Sequence, residues 1–164
     1  MRSFLALFSL LLLMACTNQP APQSPAGHKQ VEISIDTLNL NYALVKEVEL
    51  NARLLKVGLL PDDSITAKIA AHFNQEVLDL AGNSDFAYKN RAQLADSLKA
   101  EFSRLFVENA DFMPSWSLVQ NLSVVLNDSG RLGLNLQQES YLGGAHPNSY
   151  SLFLYYNLSS GAVL

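Results

Sequence analysis

Apolar and polar residues alternate through Val31, Ile33 and Ile35, the period-two pattern of a strand with one face buried. Val48-Glu49-Leu50-Asn51-Ala52-Arg53-Leu54 repeats it. The period then lengthens. Pro61-Asp62-Asp63-Ser64 supplies capping oxygens and acidic groups for the positive end of a helix, and Ile65, Ile69, Phe73, Val77 and Leu80 follow on one helical face until Gly82-Asn83. A second helix is predicted from about Asn90 to Asn109 on the stripe Leu94, Leu98, Phe102, Leu105 and Phe106, stopped by Asp111 to Pro114. Alternation resumes at Trp116, Leu118, Leu122, Val124 and Leu126, with Gln120 as the polar exception on that face. Asn127-Asp128-Ser129-Gly130 holds residues that tolerate the positive φ of hairpin turns. Leu132, Leu134 and Leu136 form the return strand, and Tyr150, Leu152, Leu154, Tyr156 and Leu158 the next face before Ser159-Ser160-Gly161 turns the chain again.

The order of strands, two helices and a meander predicts an α+β domain, an antiparallel sheet with two helices packed on one face. No internal repeat is present, and the helical stripes read as core rather than as a cofactor-binding face.

The first residues follow a different logic. Arg2 gives a positive start, Phe4 to Met14 an apolar run broken only by Ser9, and Ala15 a small residue before Cys16, the single cysteine of the chain. That run falls short of the roughly 20 apolar residues a bilayer span needs, and Thr17-Asn18-Gln19-Pro20 ends it at once. Leu13-Met14-Ala15-Cys16 resembles the lipobox of bacterial lipoproteins, with Met14 the less usual choice. Residues 1–15 are therefore expected to be a lipoprotein signal peptide, and residues 16–30 a lipidated Cys16 with a flexible tether carrying Pro20, Pro22, Pro25 and Gly27. Residues 31–164 are the folded domain. An acylated Cys16 leaves no thiol for a disulfide, so the fold rests on packing. Thr17 after Cys16, without an Asp retention signal or an acidic export run, favours the periplasmic face of the outer membrane.

Charge narrows the partners. Losing Arg2 with the leader takes the basic count from 11 to 10 against 15 acidic residues, a formal charge of −5. That surface lacks the basic field nucleic-acid binding requires, and it disfavours direct contact with anionic lipid.

Candidate chemistry concentrates between the last two strands, in Tyr141-Leu142-Gly143-Gly144-Ala145-His146-Pro147-Asn148. Two glycines and a proline impose a defined bend. Gly144 is expected to hold a backbone conformation closed to β-branched residues. Tyr141, Gly143, Gly144, His146 and Asn148 form a candidate ligand-contact loop. His146 has the chemistry of a general base or metal ligand, but a metal site needs three or four converging ligands, and the remaining histidines are His28 in the tether and His72 at the edge of the first helical stripe. No cofactor is expected. A Gly-x-Ser-x-Gly nucleophile elbow and paired carboxylates are missing from the sequence. A structural role for His146, hydrogen-bonding the loop, ranks above ligand contact, and catalysis comes last.

Ser140-Tyr141-Leu142-Gly143-Gly144-Ala145-His146-Pro147-Asn148, followed by Tyr156-Asn157-Leu158 and Ser160-Gly161-Ala162-Val163-Leu164, resembles a known signature. It is that of the extracytoplasmic domain of RsiV-type anti-sigma factors and the accessory domain of PdaC-type peptidoglycan deacetylases, a domain of unknown function in bacterial envelope lipoproteins. The resemblance covers Trp116 to Leu164; before Trp116 it rests on the order of elements alone. It implies a non-catalytic binding module whose partner is a cell-wall component, peptidoglycan, or a lysozyme-like wall-degrading protein. Deacetylase activity does not carry over, because it belongs to a separate catalytic domain. The alternative is an envelope hydrolase using His146, which would need a carboxylate within hydrogen-bond reach of the imidazole. The family usually has an acidic residue near Ser159 and continues past the Gly161 turn, so the domain is expected to lack its C-terminal part here.

Overall fold

A computed structural model of the protein describes residues 30–82, 88–109, 114–128 and 130–164. The leader, the lipidation of Cys16, the tether and His28 lie outside the described residues. The elements run β1 (Glu32–Val45), β2 (Val48–Leu60), α1 (Ser64–Ala81), α2 (Arg91–Asn109), β3 (Trp116–Asp128), β4 (Arg131–Tyr141) and β5 (Asn148–Asn157). They form one five-stranded sheet in the order β1-β2-β3-β4-β5 with two helices, the α+β class expected from the strand-helix-strand pattern. Among the described residues no helix is long and apolar enough to cross a membrane.

Local chemistry sets the helix starts. The Asp63 carboxylate accepts from the Ile65 and Thr66 amides at 3.0 and 2.9 Å, and the Asp63 amide donates to Thr66 Oγ1 at 2.9 Å, so both sides of a capping box are made. Asn90 caps α2 from one side only, its Oδ1 accepting from the Gln93 amide at 3.0 Å, while Gln93 Oε1 accepts from the Lys89 amide at 2.9 Å. Gly82 closes α1, its amide donating to Leu78 O. The caps fall where Pro61-Asp62-Asp63-Ser64, Gly82 and Asn90 place them in the sequence.

Three of the four strand pairings are antiparallel. The fourth, between β2 and β3, is parallel and short, joining Leu50–Arg53 to Trp116–Val119. A parallel pair needs a long crossover, and here α1 and α2 supply it.

Beyond Arg53 the two strands part, and α1 takes the place of the ladder. The Leu55 amide donates to Gln120 Oε1 at 3.0 Å. The Asn74 side chain, from α1, accepts from the Val57 amide at 2.7 Å and donates to Val57 O at 2.8 Å. Gln120 Nε2 donates to Val77 O and to Gln138 Oε1, both at 3.0 Å, and Gln138 Nε2 donates to Leu80 O at 2.9 Å. Side-chain amides thus satisfy backbone groups that the parting strands and the end of α1 leave open.

The core follows the same division. Leu50, Ala52 and Leu54 of β2 pack with Leu94, Leu98 and Phe102 of α2, and with Trp116 and Leu118. Leu55, Val57 and Leu59 pack instead with Ile69, Phe73 and Val77 of α1, and with Leu132, Leu134, Leu136 and Tyr156. Successive strand residues point to opposite faces, so burial of both Leu54 and Leu55 means that β2 is covered on different sides in its two halves.

Asn127, at the end of β3, ties down the start of the domain by accepting from the Val31 amide at 3.2 Å and donating to Val31 O at 2.7 Å. At the far edge, β5 carries no charged residue along its length. Val163 bridges to Tyr156 there, and the Leu164 amide donates to Tyr155 O at 2.9 Å.

Where α1 meets β5, the Tyr156 hydroxyl and His72 Nδ1 are 3.0 Å apart, with the rings edge to face at 5.8 Å. His72 Nε2 lies 3.6 Å from Glu76. Burial, helped by the Glu76 charge, pushes the Tyr156 phenol far above its ordinary value. An unfolded tyrosine ionises near pH 10, so this residue's contribution is complete below that pH and is lost as pH rises through the folded value. Urea midpoints between pH 9 and 11 should fall more steeply for the wild type than for Tyr156→Phe, by up to about 1.4 kcal/mol per pH unit. Parallel profiles would contradict the assignment.

Candidate functional site

The bend between β4 and β5 is built on Trp116. This indole, at the first residue of β3, is 4% exposed and meets Phe102 of α2 edge to face at 5.3 Å, while Phe102 meets Tyr42 of β1 at 6.4 Å. Gly143 lies against the N–H edge of the indole. Its φ is +75°, and a Cβ there would sit 2.8 Å from Trp116 Nε1. Only glycine satisfies both conditions without strain. The Tyr141 hydroxyl donates to Gly144 O at 3.1 Å and closes the loop on itself.

The result is an open cleft of about 400 Å³ lined by Leu105 and Asn109 of α2, Pro114, Trp116, Tyr141, Leu142, Gly143 and Gly144. Across the wall formed by Trp116 and Leu142 lies a second cavity of about 450 Å³, floored by Ala81, Leu94 and Leu98 and edged by Tyr88, Ser97 and Glu101. Tyr88 and Ser97 share a hydrogen bond of 3.2 Å. Hydrogen bonding to Arg104, reinforced by its charge, holds the Glu101 carboxyl below the usual range.

Of the five loop residues singled out by sequence, Tyr141, Gly143 and Gly144 meet in the cleft. His146 and Asn148 are exposed and do not line it. Asn148 is the first residue of β5 and pairs with Ser140. No hydrogen bond or ion pair to a carboxylate is made by His146 among the described residues, and no group of three or more His, Cys, Asp or Glu that could hold a metal occurs among them.

One expectation needs correction. Gly144 does not hold the special backbone: the positive φ belongs to Gly143, and a Cβ on Gly144 would meet nothing within 4 Å. A pair of adjacent glycines cannot reveal by itself which member is required. The contribution of Trp116 was also invisible in sequence, where it reads as one more inward residue of a strand 27 positions before Gly143.

No protein-family model matches the chain, and no curated protein matches it significantly. Solved structures do resemble it. A member of the DUF3298 family from Bacteroides fragilis NCTC 9343 matches with a TM-score of 0.62 at 15% identity, over 83% of this chain and 60% of its own. A DUF3298 family protein from Pseudomonas aeruginosa PAO1 matches with a TM-score of 0.50 at 17% identity, over 81% of this chain and 55% of its own. The chain therefore spans little more than half the length of these neighbours. At such identity the likeness establishes a shared fold, that of a domain whose name records no known function. It fits the RsiV- and PdaC-like resemblance at that coarser level.

Proposed function

We propose that the protein is a membrane-anchored envelope lipoprotein whose domain is a non-catalytic binding module, taking a cell-wall component in the cleft beside Trp116. The observation that carries this reading is the locked loop: Gly143 against the indole Nε1 edge and Tyr141 closing onto Gly144 border an open cleft of about 400 Å³. That volume suits a sugar or short-peptide ligand, since small-molecule pockets run from roughly 300 to 1,000 Å³.

The position of the cleft supports the same reading. Val31 is tied to Asn127 at one end of β3, while Trp116 and the cleft are at the other. At about 3.3 Å per residue, the strand separates them by roughly 35 Å. If Cys16 is acylated, the tether enters at the Val31 end and presents the cleft away from the membrane, toward the periplasmic cell wall. Excess acidic charge favours encounter with a basic protein, which keeps a lysozyme-like partner as the second reading.

Gly144→Trp tests the proposal, because the open space around Gly144 lets a large side chain fill the cleft without straining the backbone. Calorimetric titration with soluble peptidoglycan fragments should show affinity falling by at least about tenfold, or ~1.4 kcal/mol, at an unchanged melting temperature. Unchanged fragment affinity would reject the cleft as the site. Binding of lysozyme alone, equally in both proteins, would favour the second reading and place its surface elsewhere.

A further inference from the structure

We propose that a separate cavity, between the β1–β2 ribbon and the start of α2, binds a small oxyanion attached to a compact apolar group. The cavity measures about 460 Å³, and Lys56, Lys89 and Arg91 are among the residues that line it. Leu38, Leu55 and Leu78 contribute apolar surface to the same lining. None of these residues lines the Trp116 cleft, so the inference stands apart from the binding function proposed above.

Charge is the first reason. The protein has a formal charge of −4, yet three cationic residues line this one cavity. Arg91 is committed: Nη2 donates to Asp36 Oδ2 at 2.6 Å and Nη1 to Asp36 O at 3.1 Å. Its guanidinium holds the Asp36 carboxyl below the ordinary range, with a small further contribution from Lys56. Asp36 is thus already engaged. Among the described residues, neither Lys56 nor Lys89 lies within ion-pair distance of any carboxylate. Both lysines line the cavity without a carboxylate partner there, so an anion bound in it meets uncompensated positive charge.

Backbone donors are the second. The Asn90 side chain caps only the Gln93 amide, and the Leu94 amide returns to Asn90 O. The amides of Arg91 and Ala92, in the first turn, have no acceptor within the helix, and both residues line the cavity. Lysine ammonium groups, first-turn amides and the positive end of the helix dipole together suit a carboxylate or phosphate. The three leucines in the same lining have no use in binding a bare ion. They give the site its preference for an anion carrying an apolar body.

Titration of the full domain with hexanoate, hexyl phosphate and hexanamide, followed by amide chemical shifts, tests the proposal. The two anions should produce saturable shifts at Lys56, Lys89, Arg91 and Ala92, and the neutral amide should not. Tighter binding of hexyl phosphate would identify phosphate as the preferred headgroup, and the reverse carboxylate. Lys56→Gln combined with Lys89→Gln should weaken the preferred anion at least tenfold while leaving the melting temperature in place, since both side chains are exposed. Equal binding of hexanamide, dissociation constants above roughly 10 mM for both anions, or an affinity untouched by the double substitution would overturn it.

Discussion

Replacing Gly143 with Val should destabilise the domain by roughly 2–4 kcal/mol, and the same change at Gly144 by less than about 1 kcal/mol. Two effects add at Gly143. Its φ of +75° costs an L side chain about 1–2 kcal/mol, more for a β-branched one. The new Cβ also lies 2.8 Å from Trp116 Nε1, so the indole, which is 4% exposed and packed edge to face on Phe102, must shift to admit it. Neither effect operates at Gly144. Urea unfolding at constant m-value reads the difference directly. Equal losses at the two glycines would show that the loop rearranges without moving the tryptophan.

Gln120→Leu should cost about 3–5 kcal/mol, although it places an apolar residue of similar length in the core. Gln120 is completely buried. The substitution strands the Leu55 amide and Gln138 Oε1, and removes a donor from Val77 O. Each buried group left without a partner costs roughly 1–3 kcal/mol. A double-mutant cycle with Gln138→Leu should show strong coupling, since removing both glutamines leaves fewer mismatched groups than removing one. A loss below about 1 kcal/mol would mean that water replaces the amide.

Much of the fold was legible because its signals are local. The caps at Asp63 and Asn90, the Gly82 stop and the alternation from Trp116 to Leu158 each lie within a few residues, and the structure has the helix ends and strands there. Val124, beside a register shift, and Tyr150, near the start of β5, are nevertheless exposed where the alternation turns them inward. What escaped was long-range. The alternation of β2 reads cleanly only to Leu54, because Leu54 and Leu55 are both buried, yet the strand continues to Leu60. The parallel pairing with β3 has no pattern of its own. Gln120 was visible as an oddity on an apolar face, but its three partners, Leu55, Val77 and Gln138, come from β2, α1 and β4 through contacts no periodicity encodes. The site divides similarly. Tyr141, Gly143 and Gly144 were marked by their own spacing, the indole beside Gly143 was not, and a cavity joining Lys56 to Lys89 and Arg91 has no signature along the chain.

The short parallel contact between β2 and β3 also bears on how the domain assembles and opens. β1 with β2, and β3 with β4 and β5, are each closed by brief turns, whereas joining Leu50–Arg53 to Trp116–Val119 must first close the whole segment containing both helices. Loop closure of that length is an entropic cost met only when the helices are in place. The hairpins should therefore form early, and the four-residue seam last. In the folded protein the order reverses: the Leu55 and Val57 amides, held across the seam by Gln120 and Asn74, should exchange with solvent deuterium through a sub-global opening, while those in the middle of β4 wait for complete unfolding. A seam sealed by Gln120 and Asn74 rather than by a continuous ladder is where this sheet can come apart without losing either half.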